Sequence, residues 1–585
     1  MSNLADMVSE MGRHAEAEPL GREALAIAEK SVGIAHPLTA NTVIILGSIY
    51  RRIGADDKAE PLIKRAIAIV EAAQGVENRN VAYPLTLLAD LYSDGGSYAR
   101  AEPLYRRALT IYEKALGPDH PDLLRTLRSL AVTQWARGES QQALMLLQTV
   151  QRKQETNSRR LLAAGSEARK QEYRRYLAED TYTDISFAMA TPGVAATVLG
   201  LTSVLQHKGR VLDAVSDSVV RLRRSVAPAD RALLEELADL VGQVSAMIYA
   251  QGGSMSPEQY RARLAQLSMK QDGLEVELAN RSAAFGREVT SVTLTRIRQA
   301  IPVDAALVEW FRYTPLDPTR KNSMRSASPR YVAYVLKRKG NPVAIDVGEA
   351  QIIEKLARRL RIALADSASR DFEQHAAALS TKLLTPLRAH LQGVKHILFS
   401  PDGELNLIPM AALSLEPGVH LATQFNVSYL TSGRDLLRIA IEPISLDTAV
   451  VIADPDYGRV GVTPSKLSPL QPQRSNDLDR GGLVFRQLPG TALEAQDLKG
   501  LLKLNESNVL VRLQASETAL KQMKSPPILH IASHGFFLSD RQLSDAVARQ
   551  RGGGATSVAP SENPLLRSGI ALAGANERSS GEEEG

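Results

Sequence analysis

The residues best placed to do chemistry lie late in the chain, in the run His530-Ile531-Ala532-Ser533-His534-Gly535-Phe536. Ile528–Ala532 reads as a short buried strand, and Ser533-His534-Gly535 follows at its carboxyl end. In open parallel α/β sheets the ligand crevice lies just beyond the carboxyl ends of strands. An imidazole there can deprotonate or orient a nucleophile, and Gly535 beside it allows close approach of another chain. The same rule selects Asp454, directly after the strand 449–453. Its carboxylate could hold a cationic substrate group or pair with a helix terminus. His530 alternates into the packed faces of the sheet and is expected to be a buried, hydrogen-bonded histidine. A lone histidine also suits a purely structural role, so spacing alone leaves His534 open between the two.

The chain contains no cysteine. Disulfides, thiolate metal sites and a cysteine nucleophile are thereby excluded from these residues. No metal site or cofactor is expected, since His36 and His120 are too far apart and too regularly placed to form a metal site.

The elements that must position His534 and Asp454 begin after Pro302, where hydrophobic periodicity changes from 3.6 to 2. Ala306–Tyr313 reads as a strand, and Tyr331–Leu336 with Val343–Val347 reads as a pair around Gly340-Asn341. Helices are expected at 349–366 and 371–391, then strands at 396–400, 449–453, 508–511 and 528–532. Thr491-Ala492-Leu493-Glu494 has the form of a capping box for a helix ending near Leu502. This alternation predicts an α/β domain with a mostly parallel sheet over 301–585.

The other end of the chain follows a different rule. Ala-Glu-Pro-Leu occurs at 17–20, 59–62 and 101–104, a spacing of 42 residues, with Ala143-Leu144-Met145-Leu146 in the fourth position. Leu4, Leu46, Leu88 and Leu130 share one phase, and Gly12, Gly54, Gly96 and Gly138 share another. Gly33, Gly75 and Gly117 fall where a helix would end, a place at which glycine takes positive φ cheaply. Each unit is therefore a helical hairpin that must stack on its neighbours to bury its apolar face. His36, Asn78 and His120 are in phase as helix-start residues, and Pro19, Pro61 and Pro103 sit early in the second helices. This all-α array spans 1–153, with its first repeat incomplete.

From 154 to 300 helical patterning continues without the period. Pro192-Gly193 breaks one long segment, Pro228 opens a helix running to about Ala250, and Ser256-Pro257-Glu258-Gln259 starts another. Leu199, Leu201, Val204 and Leu205 are expected in the core of a helical connector. The chain has 585 residues, 44% hydrophobic and 23% charged, with a formal net charge of +5. No stripe of basic residues interleaved with aromatics is present, so direct nucleic-acid binding is not expected. With no run of 18 apolar residues and no secretory leader pattern, a cytoplasmic protein without membrane association is expected.

Leu104–Glu113 and Leu116-Gly117-Pro118-Asp119-His120-Pro121 resemble the long tetratricopeptide repeats (TPRs) of kinesin light chains and of many bacterial proteins. That resemblance implies a superhelix that binds a protein or peptide partner on its concave surface. Ser400–Pro409, Ser428–Arg434, Leu488–Thr491, His530–Phe536 and Leu565–Gly574 resemble, in order, the motifs of the CHAT domain, a caspase-like domain of the separase and caspase clan. The resemblance implies a cysteine peptidase, a hydrolase acting on a polypeptide, with His534 as the catalytic histidine. Gly535 would be its oxyanion-side neighbour, and Asp454 would lie near the pocket for the residue before the scissile bond.

This sequence departs from the family at the decisive position. The family's cysteine follows on the next core strand, whereas the chain ends at Glu582-Glu583-Glu584-Gly585. Ser533 adjoins His534 and faces another direction, which makes it a poor substitute. The expectation is a parent cysteine endopeptidase regulated through its array, with this C-terminally incomplete chain inert. The alternative is a non-catalytic TPR scaffold or signalling protein with a degenerate caspase-like domain.

Overall fold

The computed structural model describes residues 1–164, 167–209, 292–320, 327–364, 369–416, 418–439, 448–458, 485–523, 526–537 and 568–576, with isolated residues between 232 and 277. The helix starts expected at Pro228 and Ser256 lie outside the described residues, as do Leu565–Arg567 of the last motif. The chain divides into two compact units. One holds residues 1–161, 175–210 and 289–437, and the other 162–174, 211–288 and 438–585.

The first unit opens with eight helices in four hairpins: α1 (Ser2–Glu10), α2 (His14–Val32), α3 (Pro37–Ile53), α4 (Asp56–Gln74), α5 (Arg79–Asp94), α6 (Tyr98–Leu116), α7 (Pro121–Ala136) and α8 (Ser140–Ala164). Their boundaries follow from local chemistry. Gly12, Gly54, Gly96 and Gly138 turn each hairpin with φ between +74° and +83°, a conformation that costs glycine no Cβ clash. The starts of α3, α5 and α7 are capped by His36 Nδ1, Asn78 Oδ1 and His120 Nδ1, which accept from the amides of Leu38, Asn80 and Asp122 at 3.1, 3.0 and 3.2 Å. Ala17, Ala59, Ala101 and Ala143 are fully buried, and Leu46, Leu88 and Leu130 are buried with them. Leu4 breaks this pattern and is exposed on the outer face of α1. Successive first helices also pack on one another, α1 on α3, α3 on α5 and α5 on α7.

The three prolines differ from expectation. Helices α2, α4 and α6 begin at His14, Asp56 and Tyr98, so Pro19, Pro61 and Pro103 fall in their second turn. Beyond the first turn a missing N–H forfeits one helical hydrogen bond.

Helices α9 (Glu167–Ala190) and α10 (Val194–His207) continue the chain, broken at Gly193 as the sequence predicts. Next come α11 (Leu294–Ala300), β1 (Ala305–Tyr313), β2 (Arg330–Lys337), β3 (Val343–Glu349), α12 (Ala350–Leu364), α13 (Phe372–Leu383), β4 (His396–Ser400) and β5 (Asn426–Tyr429). The sheet order is β3-β2-β1-β4-β5. It is mixed, where a mostly parallel sheet was expected. β1 pairs antiparallel with β2, and β2 with β3, while β1–β4 and β4–β5 are parallel. The short Gly340-Asn341 connection forces β2–β3 antiparallel, because a parallel return needs a crossover of a dozen or more residues. Trp310, Tyr331 and Phe399 pack against α12 and α13 on one face. Leu307, Tyr334 and Leu398 pack against Leu201, Val204, Leu205 and Ile297 on the other. The expected core positions of α10 are thus buried, and the sheet is covered on both sides.

The second unit holds a fully parallel three-stranded sheet of β6 (Val450–Pro455), β7 (Val509–Arg512) and β8 (Leu529–Ala532), ordered β8-β6-β7. Helix α14 (Pro489–Leu502) packs on it through Ala495 and Leu498, against Val451, Ala453 and Ala532. A short antiparallel pair, β9 (Gly535–Phe537) with β10 (Ser568–Ile570), follows β8.

Candidate functional site

Ser533 and His534 form the turn between β8 and β9, at the carboxyl edge of the parallel sheet. The His534 ring forms a cluster with two aromatic rings, its centroid 5.4 Å from Tyr457 and 5.6 Å from Phe485, which lie 6.0 Å from each other. Its Nε2 is 2.7 Å from the carbonyl oxygen of Arg486. A carbonyl only accepts, so Nε2 must carry the proton. In the neutral ring the lone pair then falls on Nδ1, the nitrogen available to act as a base. The carbonyl of His534 in turn accepts from the amide of Ala571 at 2.8 Å, which fixes the backbone beneath the ring.

Ser533 is committed elsewhere. Its hydroxyl lies 2.9 Å from the Tyr457 hydroxyl and donates to the carbonyl of Ala571. Neither partner is a general base, so this serine is not an activated nucleophile. Gly535 is exposed and pairs with Ile570, and a Cβ there would come no closer than 3.9 Å to Gly569 O. Among the described residues, the close approach anticipated for a glycine at this position is therefore not imposed.

Asp454 lies inside β6, one residue before its end and not directly after the strand as expected, in the left-handed region at φ +44°, beside Arg512 on β7 at φ +54°. Strained backbone of this kind collects at functional sites. The carboxylate takes Arg512 Nη1 at 3.4 Å and the side-chain amide of Gln487. The helix terminus is met by its backbone: the Asp454 amide donates to Thr491 Oγ1 at 3.1 Å. Thr491 consequently does not cap α14 as its sequence suggested. The cap position is Leu488, Pro489 occupies the first turn, and the Thr491 hydroxyl bonds Leu488 O. Asp454 and His534 are tied to one segment, His534 through Arg486 O and Asp454 through Gln487. His530 is half-buried rather than buried, because its Nε2 reaches out to Glu494 at 2.9 Å.

The first unit contains a polar centre that the sequence reading missed. Glu309 in β1 and Lys208 just past α10 are both buried and pair at 2.7 Å. Lys208 Nζ also reaches Ser400 Oγ at 2.7 Å, Ser400 O at 2.9 Å and Trp310 O at 3.0 Å. Ser400 Oγ donates to Glu309 Oε1 at 2.6 Å, and the amide of Gly433 donates to Oε2 at 2.7 Å. Arg434 bonds Leu205 O at 2.7 Å and Lys208 O at 2.8 Å, a cation at the end of α10. The available signal was Glu309 itself, a lone acid inside the apolar run Ala306–Phe311, which demands a buried cation.

Residues 1–72 and 80–155 match the tetratricopeptide repeat family, and residues 373–585 match the CHAT domain family. The chain carries TPR repeats and a CHAT domain. Among solved structures it is similar to BtubC (BKLC) from P. vanneervenii, at 21% identity over 36% of this chain and 78% of that one, with a TM-score of 0.28. It is also similar to a putative kinesin light chain of Podosopora anserina with nearly identical TPR-like repeats, at 20% identity over 38% and 95%, with a TM-score of 0.25. No curated protein is matched. The CHAT assignment brings a correction. Peptidase and hydrolase chemistry, expected from the motifs, conflicts with the absence of any cysteine in the 585 residues. The CHAT domain of this chain has His534 without a thiol partner. Among the described residues no helix is long and apolar enough to cross a membrane, and no three metal-ligating side chains converge.

Proposed function

We propose that this chain is a polypeptide-binding scaffold: a kinesin-light-chain type TPR superhelix that takes a protein or peptide on its concave surface, joined to a caspase-like domain of the separase type that performs no catalysis here. The observation that carries this reading is the complete absence of cysteine beside an intact histidine setting. Proteolysis directed through the array would require a thiolate at His534 Nδ1, and nothing in these residues supplies one. His534, Gly535 and Asp454 are assigned to the frame of a peptide cleft, in which a polypeptide is held as a ligand. The workplace assigned to the protein is the cytoplasm.

In the array, Asn41 on α3, Tyr83 on α5 and Arg125 on α7 recur at the 42-residue period on consecutive first helices. Asn41 and Tyr83 are exposed, and the Arg125 guanidinium lies 5.5 Å above the Tyr83 ring. We assign this row to partner contact, with Arg125 favouring an acidic segment. An immobilised peptide array probed with the full chain tests the assignment. Arg125 also faces Asp90 at 4.0 Å, so the neutral Arg125→Gln is the variant: acidic peptides should bind the parent chain, and Arg125→Gln should weaken binding at least several-fold. Unchanged binding by that variant would overturn the assignment.

A further inference from the structure

We infer that the carboxyl-terminal half of α10 couples the last TPR hairpin to the end of β4 at Ser400 and to the Ser432–Arg434 loop, because two buried charge networks grip the same turns of the helix. One network is the Lys208–Glu309–Ser400 centre, closed over the helix terminus by Arg434. The other, on the array side, is centred on Arg128 of α7, buried with Asp180 and Asp184 of α9 at 2.9 and 2.7 Å. Arg128 also bonds Gln154 of α8 at 2.9 Å. Asp184 accepts from Ser203 of α10, and Gln151 of α8 donates to Ser203 Oγ at 2.8 Å and to Leu199 O at 2.9 Å. Thr181 of α9 and His207 of α10 meet at 2.6 Å.

Two properties make this a coupling device. Buried charges tolerate only well-satisfied arrangements, so each network holds its helices in one register and resists gradual deformation. On the same turns, Leu199, Leu201, Val204 and Leu205 are 1% exposed or less, so α10 cannot slide without repacking the core. Ser400 and the Ser432–Arg434 loop belong to the Ser400–Pro409 and Ser428–Arg434 motifs, which thereby hold the connector helix. The inference does not depend on what the array binds.

Hydrogen exchange on the full chain tests it. Arg128→Met removes the centre of the array-side network without touching α10 or the loops. Exchange should quicken roughly tenfold in segments 203–209 and 430–435, the cost of leaving buried polar groups unpaired, with α13 on the opposite face of the sheet unchanged. The milder Ser203→Ala serves as a second variant should Arg128→Met fail to fold, and should quicken the 430–435 segment in the same direction. Faster exchange confined to α7–α9, or spread equally over α13, would overturn the inference.

Discussion

His534 Nε2 lies 2.7 Å from Arg486 O, and that single contact decides which nitrogen of the ring carries the proton. The neutral ring is fixed as the Nε2–H tautomer, with its lone pair on Nδ1. Nitrogen-labelled histidine spectra of the full chain should show this tautomer for His534. An Nδ1–H tautomer would contradict the arrangement.

Lys208→Met should be among the most damaging single substitutions in the first unit. It leaves the Glu309 carboxylate buried with only Ser400 and Gly433 as donors. Losing one partner of a buried pair costs about 3–5 kcal/mol, while replacing both by apolar residues recovers much of that. Denaturation followed by fluorescence of the adjacent Trp310 should show the loss in Lys208→Met and its partial repair in Lys208→Met with Glu309→Leu.

Gly403 has φ +55°, and a Cβ there would sit 2.5 Å from the Tyr331 hydroxyl. Gly403→Ala therefore combines an unfavourable backbone with a clash, and should destabilise by about 1–3 kcal/mol. Placing the same change on Tyr331→Phe should relieve the clash but not the backbone part, which thermal unfolding can separate.

Glu60 is held down at about 2, against an ordinary 4.5, chiefly by the hydrogen bond from Lys64, with Tyr92 and Arg100 adding to it. An acid depressed in the folded state stabilises fully above its unfolded pKa and loses that contribution as pH falls from about 4.5 to about 2. Its side chain is 32% exposed, so screening keeps the contribution below about 1 kcal/mol. Glu60→Gln should lower stability near neutral pH and match the parent near pH 2. A gap that persists in acid would show another cause.

What the sequence disclosed and what it concealed divide by the range of the interaction. Turn glycines and the caps at His36, Asn78 and His120 act within a few residues, and they are legible from spacing alone. Pro19, Pro61 and Pro103 were read too close to the helix start, because the helix boundary depends on hairpin packing as well as on proline. The antiparallel half of the first sheet was readable at Gly340-Asn341 for β2–β3, whereas the placement of β1 between β2 and β4 depends on distant packing. Thr491 shows the limit of a local motif: its hydroxyl serves Asp454, 37 residues away. The Lys208–Glu309–Ser400 centre joins positions 101 and 192 residues apart, and only Glu309 hinted at it.

The central claim is that this chain binds polypeptide without cutting it. Incubation of the purified full chain with a diverse denatured-protein mixture, followed by mass spectrometry of new termini, tests that claim most directly. The account predicts the same termini as a protein-free control. Cleavage that appears with the chain and disappears in His534→Ala would contradict it.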